Sequence, residues 1–325
     1  MPTTIGILGA AGIAPAVVIR PAVRRDDVVV LAVASRHDPA EYAARFGIER
    51  AYTSYADLLG DPDIDLVYNA LPPSLHAEWT IRALQAGKDV LCEKPFAMTA
   101  AEAERVETAA AETGRRAIEA FHDHYHPLSG RIRDLVVSGV LGELRHVRAV
   151  FNGSNPFHPE SIRHVPALGG GALMDLGCYP AHWLRWLTGG EITVDSAWAD
   201  LNPLGADLTI EARLSASDGT PMELGASMVD GVALEDSLRI DAANGHLAVR
   251  GIVFPARGHC IELKIDGVVW VSTVAGEESY DHQLAAVLDG LASGEKLPTE
   301  GQDSVDNMRL IDSIYASAGF DRPWR

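Results

Sequence analysis

Between Thr3 and Phe121 short apolar runs alternate with segments of helical period, and this alternation is what most limits the folds open to the chain. Thr3–Leu8, Val28–Ala34, Asp65–Leu71, Val90–Cys92 and Ala117–Phe121 read as strands. Ala16–Val23, Ala40–Phe46, Tyr55–Leu59, His76–Ala86 and Thr99–Ala111 read as helices. Gly87 is placed to end one of them, and Thr99 with Glu102 forms a capping box at the start of another. Repeated βα units predict an α/β fold with a doubly wound parallel sheet, in which ligands bind outside the carboxyl ends of the strands.

The residues at those strand ends are chemically specific. Gly9-Ala-Ala-Gly-Ile-Ala14 turns out of the first strand into a helix, as in a dinucleotide site, where pyrophosphate rests on a helix N-terminus. Gly9, Ala11, Gly12 and Ile13 are the expected contacts, with alanine at the position where a glycine usually lets backbone approach phosphate. The second strand ends in Ser35-Arg36. An acidic residue there suits a free ribose 2′-hydroxyl, whereas arginine suits a 2′-phosphate, so NADP(H) is expected ahead of NAD(H). Asn69, Pro72 and His76 follow the next strand and are expected on the nicotinamide side, although His76 also has the position of a helix-start cap. Glu93-Lys94-Pro95 follows Val90–Cys92, with Lys94 where a flat cofactor and a small substrate can meet.

The chain has 325 residues, room for about two domains, expected at 1–122 and 123–325 with the last helices folding back on the first. A formal net charge of −18 argues against nucleic acid and anionic membrane as partners. Three scattered cysteines, no signal segment and no apolar run of bilayer length lead to the expectation of a cytoplasmic soluble protein. His122, His124 and His126 would share one face of an extended segment, yet ligands two apart on one strand converge poorly on one ion, so no metal is expected. These histidines are instead expected to line a cleft suited to a polyhydroxylated substrate.

In the second half, Gly169-Gly-Gly-Ala-Leu-Met-Asp-Leu-Gly-Cys-Tyr179 leads into a helix. At helical spacing Asp175, Tyr179 and His182 would face one side. A phenol beside a carboxylate and a lysine can exchange protons near working pH, although an Asp–Tyr pair can equally be structural. Leu144–Phe151 alternates as a strand ahead of this stretch, and seven short runs follow it between Thr193 and Val271, with Asp218-Gly219, Asn244-Gly245 and Asp266-Gly267 as turns. They predict a large, open, mostly antiparallel sheet and an α+β second domain, with a homodimer or homotetramer formed through that sheet. Tyr280–Leu291 and Ser304–Ala318 read as two closing helices.

The glycine turn, Glu93-Lys94-Pro95, the Gly169–Tyr179 stretch and the closing helices together resemble the Gfo/Idh/MocA oxidoreductases over essentially the whole chain. The resemblance implies NAD(P)-dependent hydride transfer on a sugar, polyol or cyclic diol. It also implies Lys94, Asp175 and Tyr179 as the catalytic set. Tyrosine rather than histidine at 179 places the chain nearer the dihydrodiol and xylose dehydrogenase-like branch. His122, His124, Arg163 and His182 are the expected substrate contacts, His124 standing where the family often has arginine. A sugar isomerase or lyase that recycles a tightly held cofactor, and a non-catalytic NADP-binding regulator, are the alternative readings.

Overall fold

The computed structural model describes residues 2–320, which divide into two compact units. One comprises Met1–Phe121 with Tyr280–Met308, the other His122–Ser279 with Arg309–Arg325.

The first unit is built on six parallel strands: β1 (Thr3–Leu8), β2 (Val28–Ala34), β3 (Arg50–Tyr52), β4 (Leu66–Asn69), β5 (Asp89–Cys92) and β6 (Ala117–Glu119). Their order, β3-β2-β1-β4-β5-β6, is that of a doubly wound dinucleotide-binding sheet. β4 is buried along its whole length, as a strand covered on both faces must be. In register, Leu8 pairs with Asn69, Asn69 with Cys92, and Cys92 with Glu119. The carboxyl ends of four strands are therefore level. The edge strand β6 is closed by the segment between the last two helices, where Glu119 N–H donates to the Thr299 carbonyl and Thr299 Oγ1 to the Glu119 carbonyl, each at 2.8 Å. Arg116 grips Glu300 through Nε at 3.0 Å and Nη2 at 2.9 Å.

The expected capping box is present in altered form. Thr99 Oγ1 accepts from the Glu102 N–H, but the Glu102 carboxylate reaches Met98 N–H rather than that of Thr99. The expected first helix is also different in kind. Pro15–Ile19 is π-helical and only Arg20–Val23 is α-helical. Nothing in the apolar spacing announces that inserted residue.

The second unit carries eight strands: β7 (Leu144–Asn152), β8 (Ile192–Leu201), β9 (Asp207–Ala216), β10 (Pro221–Ser227), β11 (Glu235–Ala242), β12 (Gly245–Arg250), β13 (Cys260–Ile265) and β14 (Val268–Ser272). They form one sheet in the order β14-β13-β12-β11-β7-β10-β9-β8, antiparallel except where β7 meets β10. Asp266 and Gly267, at φ 49° and 82°, make the left-handed two-residue turn that the twist of a hairpin favours. A π-helical turn, Leu173–Gly177, runs into the helix Cys178–Thr188, which packs on β7 and β10. Its entry is fixed by the buried Asp207. One carboxylate oxygen accepts from Leu173 N–H at 2.7 Å and the other from Tyr315 Oη at 2.8 Å. Gly171, at φ 133°, has no room for a side chain there, since a Cβ would lie 2.1 Å from Asp207 Oδ1.

Candidate active site

The residues singled out from the sequence fall into both units, and each group has its own geometry. In the first unit the turn after β1 fits a dinucleotide. Gly9 sits at φ 96°, and a Cβ on it would press on the Ala70 carbonyl oxygen at 3.1 Å and Leu71 Cδ2 at 3.2 Å. Gly12 faces open space, so no side chain crowds that approach. Ala11 is anchored from behind, its carbonyl accepting from Tyr42 Oη at 3.0 Å. Ile13 is exposed, and so is Arg36 in the loop after β2.

Four of the expected contacts have partners within the chain. Ser35 is buried, and its hydroxyl donates to the His37 carbonyl at 2.8 Å, closing its own turn. Asn69 is buried with its amide fully engaged. Nδ2 donates to the His76 carbonyl and to Thr80 Oγ1, both at 3.1 Å, while Oδ1 accepts from Leu71 N–H at 3.3 Å. His76 is likewise buried. Its ring lies between two carbonyl oxygens, Pro95 at 2.8 Å from Nδ1 and Leu71 at 2.7 Å from Nε2. Glu93 Oε1 accepts from the buried Tyr68 Oη at 2.7 Å, and Glu93 N–H donates to the Asn69 carbonyl at 3.0 Å. Asn69, His76 and Glu93 thus shape the loops that carry Pro72 and Lys94, which are both half-buried. A polar residue at a strand end reads equally as ligand or as loop-builder until its partners are known.

In the second unit the histidine segment is not extended. His122–Tyr125 is a 3-10 turn, and its side chains part company. His122 Nε2 meets Tyr179 Oη at 3.2 Å. The His124 ring stacks near His182 and Trp186, at 5.2 Å and 5.3 Å between centroids. His126 Nδ1 accepts from Leu128 N–H at 3.0 Å, opening the next helix. Among the described residues no group of three or more His, Cys, Asp or Glu could hold a metal ion.

Asp175 is ion-paired with the exposed Arg163, whose Nε donates to Oδ2 at 2.8 Å, while Tyr179 and His182 meet residues of the 3-10 segment. Two residues that the sequence did not single out join them there. Trp183 Nε1 donates to the buried Asp123 Oδ2 at 2.6 Å. Both stand beside residues that were noted, Asp123 within the histidine run and Trp183 next to His182.

The comparisons with known proteins follow this geometry. The oxidoreductase family with the NAD-binding Rossmann fold matches residues 3–121, and the GFO/IDH/MocA C-terminal domain matches residues 130–248. The chain belongs to this family. It is 33% identical over 317 residues to D-xylose 1-dehydrogenase (NADP(+)) 2 of Haloferax volcanii, with 96% of each chain covered. It is 35% identical over 325 residues, again with 96% of each covered, to a dTDP-3,4-didehydro-2,6-dideoxy-α-D-glucose 3-reductase of Saccharopolyspora spinosa. A solved 3-ketoreductase of Actinomadura kijaniata, crystallised with NADP and TDP-benzene, superposes with a TM-score of 0.90 at 28% identity over 98% of both chains. The chain is accordingly an NAD(P)-dependent oxidoreductase.

Two buried groups titrate away from their ordinary range. Burial pushes His76 down from its ordinary 6.5 to about 4, against the pull of its two carbonyl partners, so the ring is neutral at working pH. Burial pushes Asp123 up from 3.8 to about 6, opposed in part by His182 and the Trp183 N–H. The folded His76 resists the proton that the unfolded chain accepts, so it lowers stability as pH falls from 6.5 to about 4. Asp123 acts in the opposite sense, since its folded form takes a proton first and gains stability as pH falls from about 6. His76→Gln removes the first effect alone. Urea unfolding at pH 7 and pH 4 should show the variant gaining about 3 kcal/mol on wild type across that interval, and parallel curves would contradict a buried neutral His76.

Proposed function

We propose that the chain transfers hydride between NADP(H) and a hydroxyl or carbonyl carbon of a sugar, polyol or cyclic diol, with Tyr179 as its acid–base group. The observation that carries this reading is the buried Tyr179, on the helix that follows Gly169-Gly-Gly171, with its hydroxyl hydrogen-bonded to His122 of the 3-10 turn. Bound nicotinamide supplies the redox half of the reaction. Tyr179 takes the hydroxyl proton during oxidation and returns it to the carbonyl oxygen during reduction, a contribution of about 10²–10⁴ in rate. Lys94 of the first unit is a catalytic residue in this reading, its ammonium stabilising charge that develops on the substrate oxygen. Asp175, paired with Arg163, orients the substrate's other hydroxyl groups. His124 and His182 complete the polar lining.

The preference for NADP is supported by the exposed Arg36 after β2 and by the NADP named for the xylose dehydrogenase and the 3-ketoreductase. Calorimetric titration of cofactor-stripped protein should show NADPH binding more tightly than NADH. Arg36→Ala should weaken NADPH by about tenfold while leaving NADH nearly unchanged. Equal affinities in the wild-type protein would contradict the assignment of Arg36. NADP⁺-dependent oxidation of D-xylose and of cyclic diols then sorts the substrate class.

A cytoplasmic homo-oligomer, a dimer or tetramer through the eight-stranded sheet, completes the reading. Among the described residues no helix is long and apolar enough to cross a membrane. Trp198 on β8 and Trp270 on β14 are 57% and 50% exposed, and Val268, Val269 and Val271 are exposed beside the latter. Apolar surface of that kind favours association. Sedimentation at micromolar protein should give a dimer or larger, and a monomer would contradict it.

A further inference from the structure

Tyr179 is 4% exposed, yet each oxidation that it serves must deliver one proton out of the site. Its hydroxyl is not isolated. It lies 3.2 Å from His122 Nε2, and His122 Nδ1 lies 2.7 Å from Ser279 Oγ. His122 and Ser279 are each 2% exposed. The three groups come from three places in the unit: the helix Cys178–Thr188, the 3-10 turn His122–Tyr125 and the first residue of the helix Ser279–Ser293. Phe254 lies at 5.6 Å from the His122 ring, and Phe151 at 5.5 Å from that of Tyr179, giving the pair an apolar jacket. Ionisable side chains near this row include Asp123 and His182 on its own elements, Asp236, which holds the Phe254 loop through Gly251 and Val253 N–H, and Arg257 over the Phe254 ring.

We propose that His122 is the proton-exchange partner of Tyr179, with Ser279 setting its tautomer. The proposal rests on Tyr179 being the acid–base group and goes one group further from the substrate. Both ends of the row, a phenol and an aliphatic hydroxyl, can donate or accept, and a neutral imidazole does one at each nitrogen. With the proton on Nδ1, His122 donates to Ser279 and accepts from Tyr179. In oxidation the substrate O–H bond breaks and its proton goes to Tyr179 Oη. The phenolic proton passes to His122 Nε2, and the hydride leaves the carbon for the nicotinamide. In reduction the steps reverse. The nicotinamide's hydride goes to the carbonyl carbon, the Tyr179 O–H protonates the carbonyl oxygen, and the imidazolium of His122 returns its Nε2 proton to Tyr179 Oη, which leaves neutral His122 with its proton on Nδ1 toward Ser279. A side chain that hydrogen-bonds without titrating holds the tyrosine but does not take its proton.

His122→Gln is therefore the informative variant, since its amide keeps a hydrogen bond to Tyr179 and removes the proton exchange. Oxidation of D-xylose by NADP⁺ should fall in kcat by at least about tenfold, with KM within about threefold, and the solvent deuterium isotope effect should grow. His122→Ala should regain turnover on addition of imidazole. His122→Gln with wild-type kcat and pH profile would overturn the proposal. Tyr179→Phe separates the two layers. If it keeps full turnover, the acid–base reading itself falls, whereas a dead Tyr179→Phe beside an unimpaired His122→Gln removes only the relay. Imidazole nitrogen chemical shifts in the substrate-free protein give a reading that needs no turnover. The His122 tautomer should shift in both Tyr179→Phe and Ser279→Ala, and an unchanged pattern in the two would overturn the row.

Discussion

The level carboxyl ends of β1, β4, β5 and β6 are the constraint on which the first unit depends. Parallel pairing of Leu8, Asn69, Cys92 and Glu119 in one row delivers four loops to one edge of the sheet. Buried side chains then tie those loops together. Asn69 and His76 fold the segment after β4 on itself, His76 joins it to the carbonyl of Pro95, Tyr68 holds Glu93, and Glu119 accepts from Phe96 N–H at 2.9 Å. Lys94 is carried on backbone that is braced on both sides. Such bracing is what an acid–base or oxyanion contact requires, because a catalytic group displaced by an ångström loses most of its effect.

The second unit solves the same problem with a helix. Asp207 ties the entry of Leu173–Gly177 to Tyr315, and the close approach of Asp207 to Gly171 explains why glycine stands there. The π-helical turn carries Asp175, which pairs with Arg163, and leads to Tyr179, whose hydroxyl meets His122. The two π-helical segments among the described residues lie in the helix after the dinucleotide turn and in the approach to Tyr179. An inserted residue widens a helix locally and re-aims what it carries, and such turns recur at functional sites for that reason.

Much of this was readable from the chain. The alternation of apolar runs and helical periods located the strands of both sheets except the short β3, because a strand buried on both faces must be continuously apolar and a hairpin must have its Asp-Gly or Asn-Gly turn. Lys94 stands out by its place at a strand end, where ligands of such sheets bind, whereas the catalytic part given to it and to Tyr179 comes from the resemblance to the Gfo/Idh/MocA family. What could not be read were partners. Ser35, Asn69 and His76 are polar residues beside a cofactor turn, and the carbonyls and amides they hold within the loops could not be foreseen from the sequence. His122, His124 and His126 alternate as a strand would, and the 3-10 turn that separates them depends on the buried Asp123–Trp183 pair and on His126 capping the next helix, contacts between residues far apart in sequence or set by local backbone.

On the proposed reading Lys94 serves the chemical step, while other residues hold the cofactor. Single-turnover reduction of NADP⁺ by Lys94→Ala, measured beside NADPH affinity by calorimetry, tests it most directly. The account predicts a rate lowered by about 10² or more, with affinity within a few-fold of wild type. A Lys94→Ala protein that reduces NADP⁺ at the wild-type rate, or one whose only defect is lost cofactor binding, would contradict it.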